Sequence, residues 1–540
     1  MTFPAPRSLG RVLQFALLLA PVAGFAFVIA HHATDIPRDD DTFSILPFLV
    51  QWTDSPAWST RFGLLFEQYF SHRIVLTKCA AAAVLSVAGY CDFVVLQSLG
   101  WLAWLGVSAL LLHSSDRVRL APWCALPVML ILMQPQGATN FLIAMQSVGN
   151  LGGLVISLGA LAACLRPGRP TFALSLTLAL LAPLASVNGL LVFPIAAVGL
   201  ALHGLRRRSL VFALCGTAVW AAFFLSYTNP QAPFRLVEFL QNAAVMVGAP
   251  LMFGTLGTGF ATLAGGAILA ITSIVLLASI WHRRPPALAL FLLFVTLSVA
   301  MAARGRIGWG PDYMDQDRYR VYGLLSLALL YLLLLDRVPV ARQRPVVAGA
   351  LAAAAGFWFL SYAGHLPRVT TQFRWTQAMV LNRQLERDYF KSTTSLWPEA
   401  QIQWRAALAR GLIRPPAPLS TADLAFITDL NRPTPAGALE FSATATSAFC
   451  GYGLTAAPVS GKAPPDFAVM LHDGRPLILP VDIFRSRLAE LASERSFYSD
   501  RFQVLLPELL HRSGSHPLFG LVRQANGNLA VLWHGRASLP

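Results

Sequence analysis

Long apolar segments alternate with short polar ones over the first 365 residues, and this pattern constrains the fold more than any other feature. A helix needs about 20 apolar residues to cross the hydrocarbon core of a bilayer. By that criterion we predict about eleven membrane-spanning helices. They lie at residues 12–30, 93–113, 120–134, 143–164, 171–187, 189–204, 209–227, 258–281, 287–303, 321–336 and 346–364. The chain is therefore predicted to be a polytopic membrane protein.

The composition agrees with membrane insertion and excludes other classes of protein. Hydrophobic residues make up 55% of the 540 residues and charged residues 12%, whereas soluble domains carry roughly 25% charged residues. The net charge is +15, but the basic residues form short clusters between apolar segments. A nucleic-acid-binding protein needs a continuous basic surface to follow the phosphates. We therefore expect no nucleic-acid partner.

The basic clusters also predict an orientation, because cytoplasmic loops of membrane proteins are enriched in Lys and Arg. We interpret the first segment, which follows Arg7 and Arg11, as a retained anchor with a cytoplasmic N-terminus and not as a cleaved signal peptide. Alternation of sides then places most of the remaining clusters inside. They are Arg117, Arg119, Arg166, Arg169, Arg337, Arg342, Arg344 and residues 206–208 and 283–284. The C-terminal part is predicted to lie outside the cytoplasm, in the periplasm of a Gram-negative cell.

Three regions follow from these assignments. Residues 1–365 form the transmembrane domain, in which 31–92 is a long external loop with interfacial helices; a span at 74–90 would put Arg117 and Arg119 on the wrong side. Residues 366–432 are predicted to be a helical extracytoplasmic connector. Residues 433–540 contain short alternating runs, with hairpin signals at Asp473-Gly474 and Asn526-Gly527, and are predicted to form a small, mainly-β sandwich.

Three consecutive aspartates, Asp39, Asp40 and Asp41, follow the first segment closely. Carboxylates at a membrane surface are costly unless they stay solvated or have a function. They are interpreted either as a solvated loop or as the source of a general base that projects into a cavity. Asp41, which precedes an aromatic residue in Asp-Thr-Phe, is the preferred base, and Asp40 is the second choice.

Polar residues in the rest of the external loop and at the outer ends of later segments are further candidates. Glu67, His72 and Arg73 close the external loop, where a capped amphipathic helix explains them equally well, and the histidines do not have the spacing of zinc ligands. Asn140, Gln146 and Asn188 begin later spans. Side chains of this kind either form hydrogen bonds between helices or line a polar groove.

The loop at residues 304–320 is unusual because it places four arginines on the predicted outer side, against the charge bias. They are Arg304, Arg306, Arg318 and Arg320. Arginines at the outer membrane face favour an anion, and a lipid phosphate is the natural candidate. The alternative is pairing with acids of the same loop, which are Asp312, Asp315 and Asp317.

Together these features resemble the GT-C superfamily of polyprenyl-phosphate-sugar-dependent glycosyltransferases, and more closely a group of poorly characterised bacterial GT-C-like membrane proteins. The resemblance covers roughly residues 1–365. Asp41-Thr42-Phe43 is similar to the group's Asp-x-aromatic motif, and residues 70–74 (FSHRI) to its Asn-Glu-His-Arg-Ile, with Phe and Ser in the first two places. Residues 305–310 (GRIGWG) resemble Gly-Arg-x-Gly-x-Gly, and Asp317-Arg318-Tyr319 resembles Ser-Arg-Tyr. The Asn140/Gln146 pair and Ser186-x-Asn188-Gly189 have counterparts as well.

The resemblance implies inverting transfer of a sugar from a polyprenyl-phosphate donor to an extracytoplasmic glycan, lipid or protein at a bacterial inner membrane. Asp41 or Asp40 would deprotonate the acceptor hydroxyl. The donor phosphate would be bound by Arg304, Arg306, Arg318 and Tyr319. The substrate cavity would be lined by Glu67, His72, Arg73, Asn140, Gln146 and Asn188. The resemblance assigns no cofactor and no metal ligand, and it allows metal-dependent and metal-independent transfer alike.

Three other functions remain open on the sequence. An O-antigen ligase or polymerase also takes lipid-linked donors, although such enzymes favour a large Arg-rich loop between late spans. A transporter of lipid-linked saccharides would use the same arginines without chemistry, but such proteins usually show internal repeats and charges near the bilayer midplane. A catalytically silent scaffold would bind the lipid phosphate and recruit a partner through its β-domain.

Overall fold

The computed structural model describes residues 7–225, 227–228, 232–253, 256–281, 285–385, 397–430, 439–445, 452–456, 466–472, 474–483, 502–506 and 514–539. The chain forms two compact units. The first contains residues 1–252 and 256–362, and the second contains 253–255 and 363–540. Of the predicted features, the basic pair at 283–284, Asp473 and parts of the regions 366–432 and 433–540 lie outside the described residues.

The first unit is helical. Its helices are α1 (Arg7–His32), α2 (Asp40–Asp54), α3 (Trp58–Phe66), α4 (Val75–Ala88), α5 (Phe93–Ser114), α6 (Asp116–Leu120), α7 (Leu126–Leu132), α8 (Thr139–Leu142), α9 (Ala144–Gln146), α10 (Gly152–Cys164), α11 (Arg169–Ala185), α12 (Val192–Leu202), α13 (Arg206–Phe224), α14 (Leu236–Gly248), α15 (Thr258–Trp281), α16 (Ala287–Arg304), α17 (Asp317–Arg337) and α18 (Val340–Gln384), which continues into the second unit. Single 3₁₀ turns span Pro122–Ala125, Pro135–Gly137, Val187–Leu191, Ala249–Leu251 and Pro311–Asp315, and a π-helical turn spans Ser147–Leu151.

Seven helices in the described part of the chain are long and apolar enough to cross a membrane. They are Phe93–Ser114, Ala144–Cys164, Arg206–Phe224, Thr258–Trp281, Ala287–Arg304, Asp317–Arg337 and Val340–Gln384. The other four predicted spans lie on α1, α7, α11 and α12, and each contains an apolar helical stretch of 10–17 residues among those searched. All eleven predicted spans therefore coincide with apolar helices. α11 contains Pro183 and ends before the extended residue Ser186.

α14 is an apolar helix that lies between the predicted spans 209–227 and 258–281. Its buried face packs against α15 through glycines at the point of closest approach. A Cβ atom on Gly265 would lie 1.8 Å from the Ala244 carbonyl oxygen, and one on Gly248 would lie 2.0 Å from that of Ala261. Only residues without a side chain allow the two backbones to approach so closely.

The second unit combines helices with a mainly-β part, as predicted. Besides the end of α18 it contains α19 (Trp397–Ala409) and α20 (Thr421–Thr428), with strands β1 (Leu439–Ala445), β2 (Tyr452–Ala456), β3 (Phe467–His472), β4 (Arg475–Leu479), β5 (Val481–Ile483), β6 (Phe502–Leu506), β7 (Gly514–Arg523) and β8 (Leu529–Leu539). Side chains alternate between two cores. Ala468 and Met470 of β3 pack with Trp375 of α18, whereas Val469 and Leu471 pack with Ile427 of α20.

The strand order refines the prediction of a sandwich. The described strands form one sheet in the order β4-β3-β7-β8-β1-β2-β6-β5, in place of two separate sheets. The first and last strands in that order are consecutive in the chain and only Pro480 lies between them, so the ends of the sheet are joined by one segment. The predicted hairpins are confirmed, because β3 pairs with β4 and β7 with β8, and the turn residues Gly474 and Gly527 have positive φ angles.

Candidate active site

A cavity of about 630 Å³ lies within the first unit. Its walls come from the start of α2, the segment before α4, the turns around α9 and residues 185–191, the end of α16 and the start of α17. The polar side chains of the lining are Asp40, Ser71, His72, Gln146, Asn150, Ser186, Asn188, Tyr227, Arg304, Arg306, Arg318, Tyr319 and Tyr322. The larger apolar ones are Ile74, Met145, Val187, Leu191, Phe224, Leu297 and Met301. The cavity therefore offers both a polar and an apolar surface to a ligand.

Asp40 is the carboxylate of this lining. It is the first residue of α2 and follows Asp39, whose φ of 44° turns the chain into the helix. The Asp40 carboxylate accepts a hydrogen bond from Gln146 Nε2 at 3.0 Å and pairs with Arg318 Nη1 at 3.4 Å. The Tyr69 hydroxyl lies 3.4 Å from its other oxygen. Its side chain is 23% exposed, so it is held by donors and still reachable from the cavity.

Asp41, one residue further along α2, is fully buried and is not part of the lining. Consecutive helical residues point about 100° apart, and its carboxylate accepts hydrogen bonds from the backbone N–H groups of Met145 at 2.7 Å and Ala144 at 3.1 Å. Burial raises the pKa of Asp41 to about 7, although these bonds lower it. The geometry thus distinguishes the two aspartates: Asp41, the base preferred from the sequence, holds the turn at α9, and Asp40 lines the cavity.

Arg306 and Arg318 provide hydrogen-bond donors that the described residues leave unused. Their Cζ atoms lie 5.1 Å and 5.2 Å from the centre of the Tyr319 ring. The Nε atoms of both arginines and the Tyr319 hydroxyl are buried, and within the described ranges none has a hydrogen-bond partner. Arg306 also has no carboxylate partner in the part of the chain that the structure describes.

The alternative interpretation, pairing of the arginines with acids of their own loop, holds for one residue only. Buried Arg320 forms an ion pair with Asp315 and donates to Gln136 Oε1 at 3.3 Å. Arg318 instead pairs with Asp40, 278 residues away. Arg304 lines the cavity and donates to the Ala232 carbonyl at 3.1 Å. The lining therefore contains three arginines and one carboxylate, which give the cavity a net positive charge.

His72 is neutral in this setting. Burial is the main cause that lowers its pKa to about 4, and the neighbouring Arg306 lowers it further. Its Nδ1 accepts from the Val187 N–H at 3.5 Å. Because a neutral imidazole carries one proton, that proton is on Nε2, which is a donor. His72 therefore offers a hydrogen-bond donor and no charge.

Two further predicted residues line the cavity, and a third supports its wall from behind. Gln146 and Asn188 line the cavity, and Asn188 Nδ2 donates to the Tyr322 hydroxyl at 3.0 Å. Asn140 lies behind the lining, where its fully buried side chain donates to the Arg318 carbonyl at 3.1 Å and accepts from Asn150 Nδ2 at 3.2 Å. It fixes the backbone of Arg318 and is not available to a ligand.

Arg73 and Glu67, which were also predicted to line a substrate cavity, lie outside the lining of this one. The Arg73 guanidinium donates to the carbonyls of Phe66 at 2.6 Å and Leu225 at 2.8 Å, so it ties the external loop to the end of α13. Glu67 is exposed, and its backbone carbonyl accepts from buried Lys78. Both residues stabilise the loop that carries His72.

Sequence reasoning missed Asn150 and Tyr322. Each lies four residues after a predicted site residue, Gln146 and Arg318 respectively, and residues at that spacing share a helix face. This periodicity could have identified both. No comparable spacing in the sequence points to Tyr69, whose hydroxyl contacts Asp40.

The described residues contain no group of three or more His, Cys, Asp or Glu side chains that could hold a metal ion. No family model matches the chain, and no curated protein matches it. Among solved structures, the chain is similar to the crystal structure of ArnT from Cupriavidus metallidurans in the apo state. The sequence identity is 15% and the TM-score 0.40, over 81% of this chain and 82% of that chain.

Proposed function

We propose that the chain is a glycosyltransferase of a bacterial inner membrane that moves a sugar from a polyprenyl-phosphate donor to an extracytoplasmic hydroxyl acceptor, with inversion. The observation that carries this proposal is the set of unused donors beside Asp40: Arg306 Nε, Arg318 Nε and the Tyr319 hydroxyl. A buried donor without an acceptor costs about 1–3 kcal/mol. A phosphate group supplies several oxygen acceptors together with the negative charge that the arginines favour.

The apolar side of the cavity fits the lipid end of such a donor. Ile74, Leu191, Phe224, Leu297 and Met301 are part of the same lining as the arginines. A lipid phosphate needs this combination, because its head group is charged and its first carbons are not. The volume of about 630 Å³ lies within the range of ligand pockets, roughly 300–1,000 Å³. We infer that the head group and the beginning of the chain occupy the cavity.

The chemistry requires a base and a stabilised leaving group. Asp40 takes the proton of the acceptor hydroxyl, and the oxygen attacks the anomeric carbon of the donor. The bond between that carbon and the phosphate oxygen breaks, and its electron pair leaves with the polyprenyl phosphate. The phosphate gains one negative charge in this step, and Arg306 and Arg318 stabilise it. A single displacement of this kind inverts the anomeric configuration.

The test measures release of polyprenyl phosphate by purified protein in nanodiscs, with a panel of polyprenyl-phosphate sugars and a membrane extract as acceptor. We expect Asp40→Asn and Arg306→Gln to reduce release about 100- to 1,000-fold, the usual effect of removing one catalytic group or charge-stabilising donor. Asp312→Asn and Arg235→Gln are matched controls on exposed residues outside the lining, and they should change release less than about twofold.

The outcomes separate the competing functions. Equal release by the parent and Asp40→Asn would contradict Asp40 as the base. Binding of donors by the parent without any release would contradict a transferase and favour transport or a silent scaffold. Release that requires a second lipid-linked saccharide as the acceptor would indicate a polymerase.

A further inference from the structure

Gln146 has one amide atom that the proposed mechanism does not use. The side chain is 3% exposed and lines the cavity. Its Nε2 donates to Asp40 Oδ2 at 3.0 Å. Its Oε1 is buried, and no donor within the described ranges reaches it. Asn150, which also lines the cavity, donates from Nδ2 to Asn140 Oδ1 instead.

The orientation of the Gln146 amide is fixed by its partner. An ionised carboxylate only accepts hydrogen bonds. Rotation of the amide by 180° would place Oε1 against Asp40 Oδ2, two acceptors in contact. Gln146 therefore keeps its nitrogen on Asp40 and leaves its oxygen as a buried acceptor in the cavity wall. Such an atom costs about 1–3 kcal/mol until a donor binds to it.

The charges of the cavity lining restrict which kind of hydrogen-bond donor can bind to Gln146 Oε1. Arg304, Arg306 and Arg318 outnumber the single carboxylate of Asp40, and His72 is neutral. A prenyl-phosphate sugar brings one negative charge, so the occupied cavity stays positive. A sugar that carries an ammonium group would add a like charge in a buried place. An uncharged hydroxyl satisfies Gln146 Oε1 without that cost.

From the fixed orientation of the Gln146 amide and the excess of arginines, we infer that Gln146 is a specificity-determining residue that accepts a hydrogen bond from a hydroxyl of an uncharged donor sugar, next to Asp40. This inference rests on the proposed function, because it assigns the sugar of the same donor. Sites built to hydrogen-bond a hydroxyl strongly reject analogues that lack it, since the buried acceptor then stays unpaired. The donor sugar is therefore expected to be a neutral hexose or pentose.

The experiment measures equilibrium binding of short-chain prenyl-phosphate sugars to the full chain in nanodiscs, without an acceptor. The probes are glucose, galactose, mannose and arabinose donors, the complete monodeoxy series of the tightest binder, and its 4-amino-4-deoxy analogue. We expect one monodeoxy donor and the amino donor to bind about 10- to 100-fold more weakly than the parent sugar. Gln146→Leu should reduce the monodeoxy discrimination to less than about threefold. Gln51→Leu, the same change at an exposed site of α2, should preserve it.

Ratios between probes on one protein do not depend on how much of a variant is folded, so a structural role of Gln146 would leave them unchanged. Equal binding of the parent sugar and all its analogues, or discrimination that survives in Gln146→Leu, would overturn the inference but not the transferase. An amino donor that binds as tightly as the parent would overturn the assignment of an uncharged sugar. Discrimination without release would keep Gln146 as the specificity residue and contradict the proposed transfer. No binding of any probe would overturn both proposals.

Discussion

Replacement of Asp41 tests the distinction between the two aspartates of α2 most directly. Its carboxylate accepts from two buried N–H groups, those of Ala144 and Met145. Asp41→Ala leaves both without an acceptor, at about 1–3 kcal/mol each, so we expect a loss of about 2–6 kcal/mol of unfolding free energy. Asp41→Asn keeps an acceptor oxygen for one of these N–H groups and removes a charge that burial disfavours, but its amide nitrogen meets the other N–H group. Its cost should therefore be smaller than that of the alanine variant, about 1–3 kcal/mol.

Both variants should be unfolded in mixed micelles with increasing SDS and followed by the fluorescence of the 13 tryptophans. Asp312→Ala, at an exposed residue, is the control and should unfold like the parent. Release of polyprenyl phosphate by folded Asp41→Asn should stay within about tenfold of the parent, because Asp41 positions α9 and is not part of the cavity lining. Asp41→Asn with parental stability and a loss of release of 100-fold or more would refute this reasoning and restore Asp41 as the base. Unchanged stability of Asp41→Ala would refute the supporting role.

Three further predictions follow from single contacts. The raised pKa of Asp41, about 7 against 3.8 unfolded, means that its carboxyl binds its proton more tightly in the folded state. The unfolding free energy of the parent relative to Asp41→Asn should therefore fall as pH rises from about 4 to 7, by at most about 1.4 kcal/mol per pH unit. SDS titrations at several pH values measure this difference, and a difference that does not change with pH would contradict the raised pKa of Asp41. Gly265→Ala should lower the unfolding free energy by at least about 1–3 kcal/mol, because the new Cβ atom meets the Ala244 carbonyl. Gly266→Ala has open space around it and should be neutral or slightly stabilising. Equal effects of the two variants on thermal unfolding would refute the close packing of α14 and α15. Arg306→Lys keeps the charge but loses Nε, so donor affinity should fall about tenfold, and parental affinity would show that charge alone suffices.

The sequence alone determined the features that depend on neighbouring residues. Apolar runs predicted the helical class, and each predicted span coincides with an apolar helix. The Gly474 and Gly527 turns predicted two hairpins that the structure confirms. These features were readable because hydropathy and turn chemistry act within a few residues. The unusual arginine loop also identified three arginines that line the cavity, Arg304, Arg306 and Arg318.

Only the tertiary structure decided which of these residues can act together. Asp40 and Asp41 are adjacent in the sequence, and a rotation of about 100° along α2 separates the cavity residue Asp40 from the buried, supporting Asp41. The carboxylate partner of Arg318 is Asp40, which lies 278 residues away and not in the loop of Arg318. The free acceptor on Gln146 exists because Asp40 holds the other end of its amide. Such relations join segments that are distant in the chain, and they depend on packing that no local pattern contains.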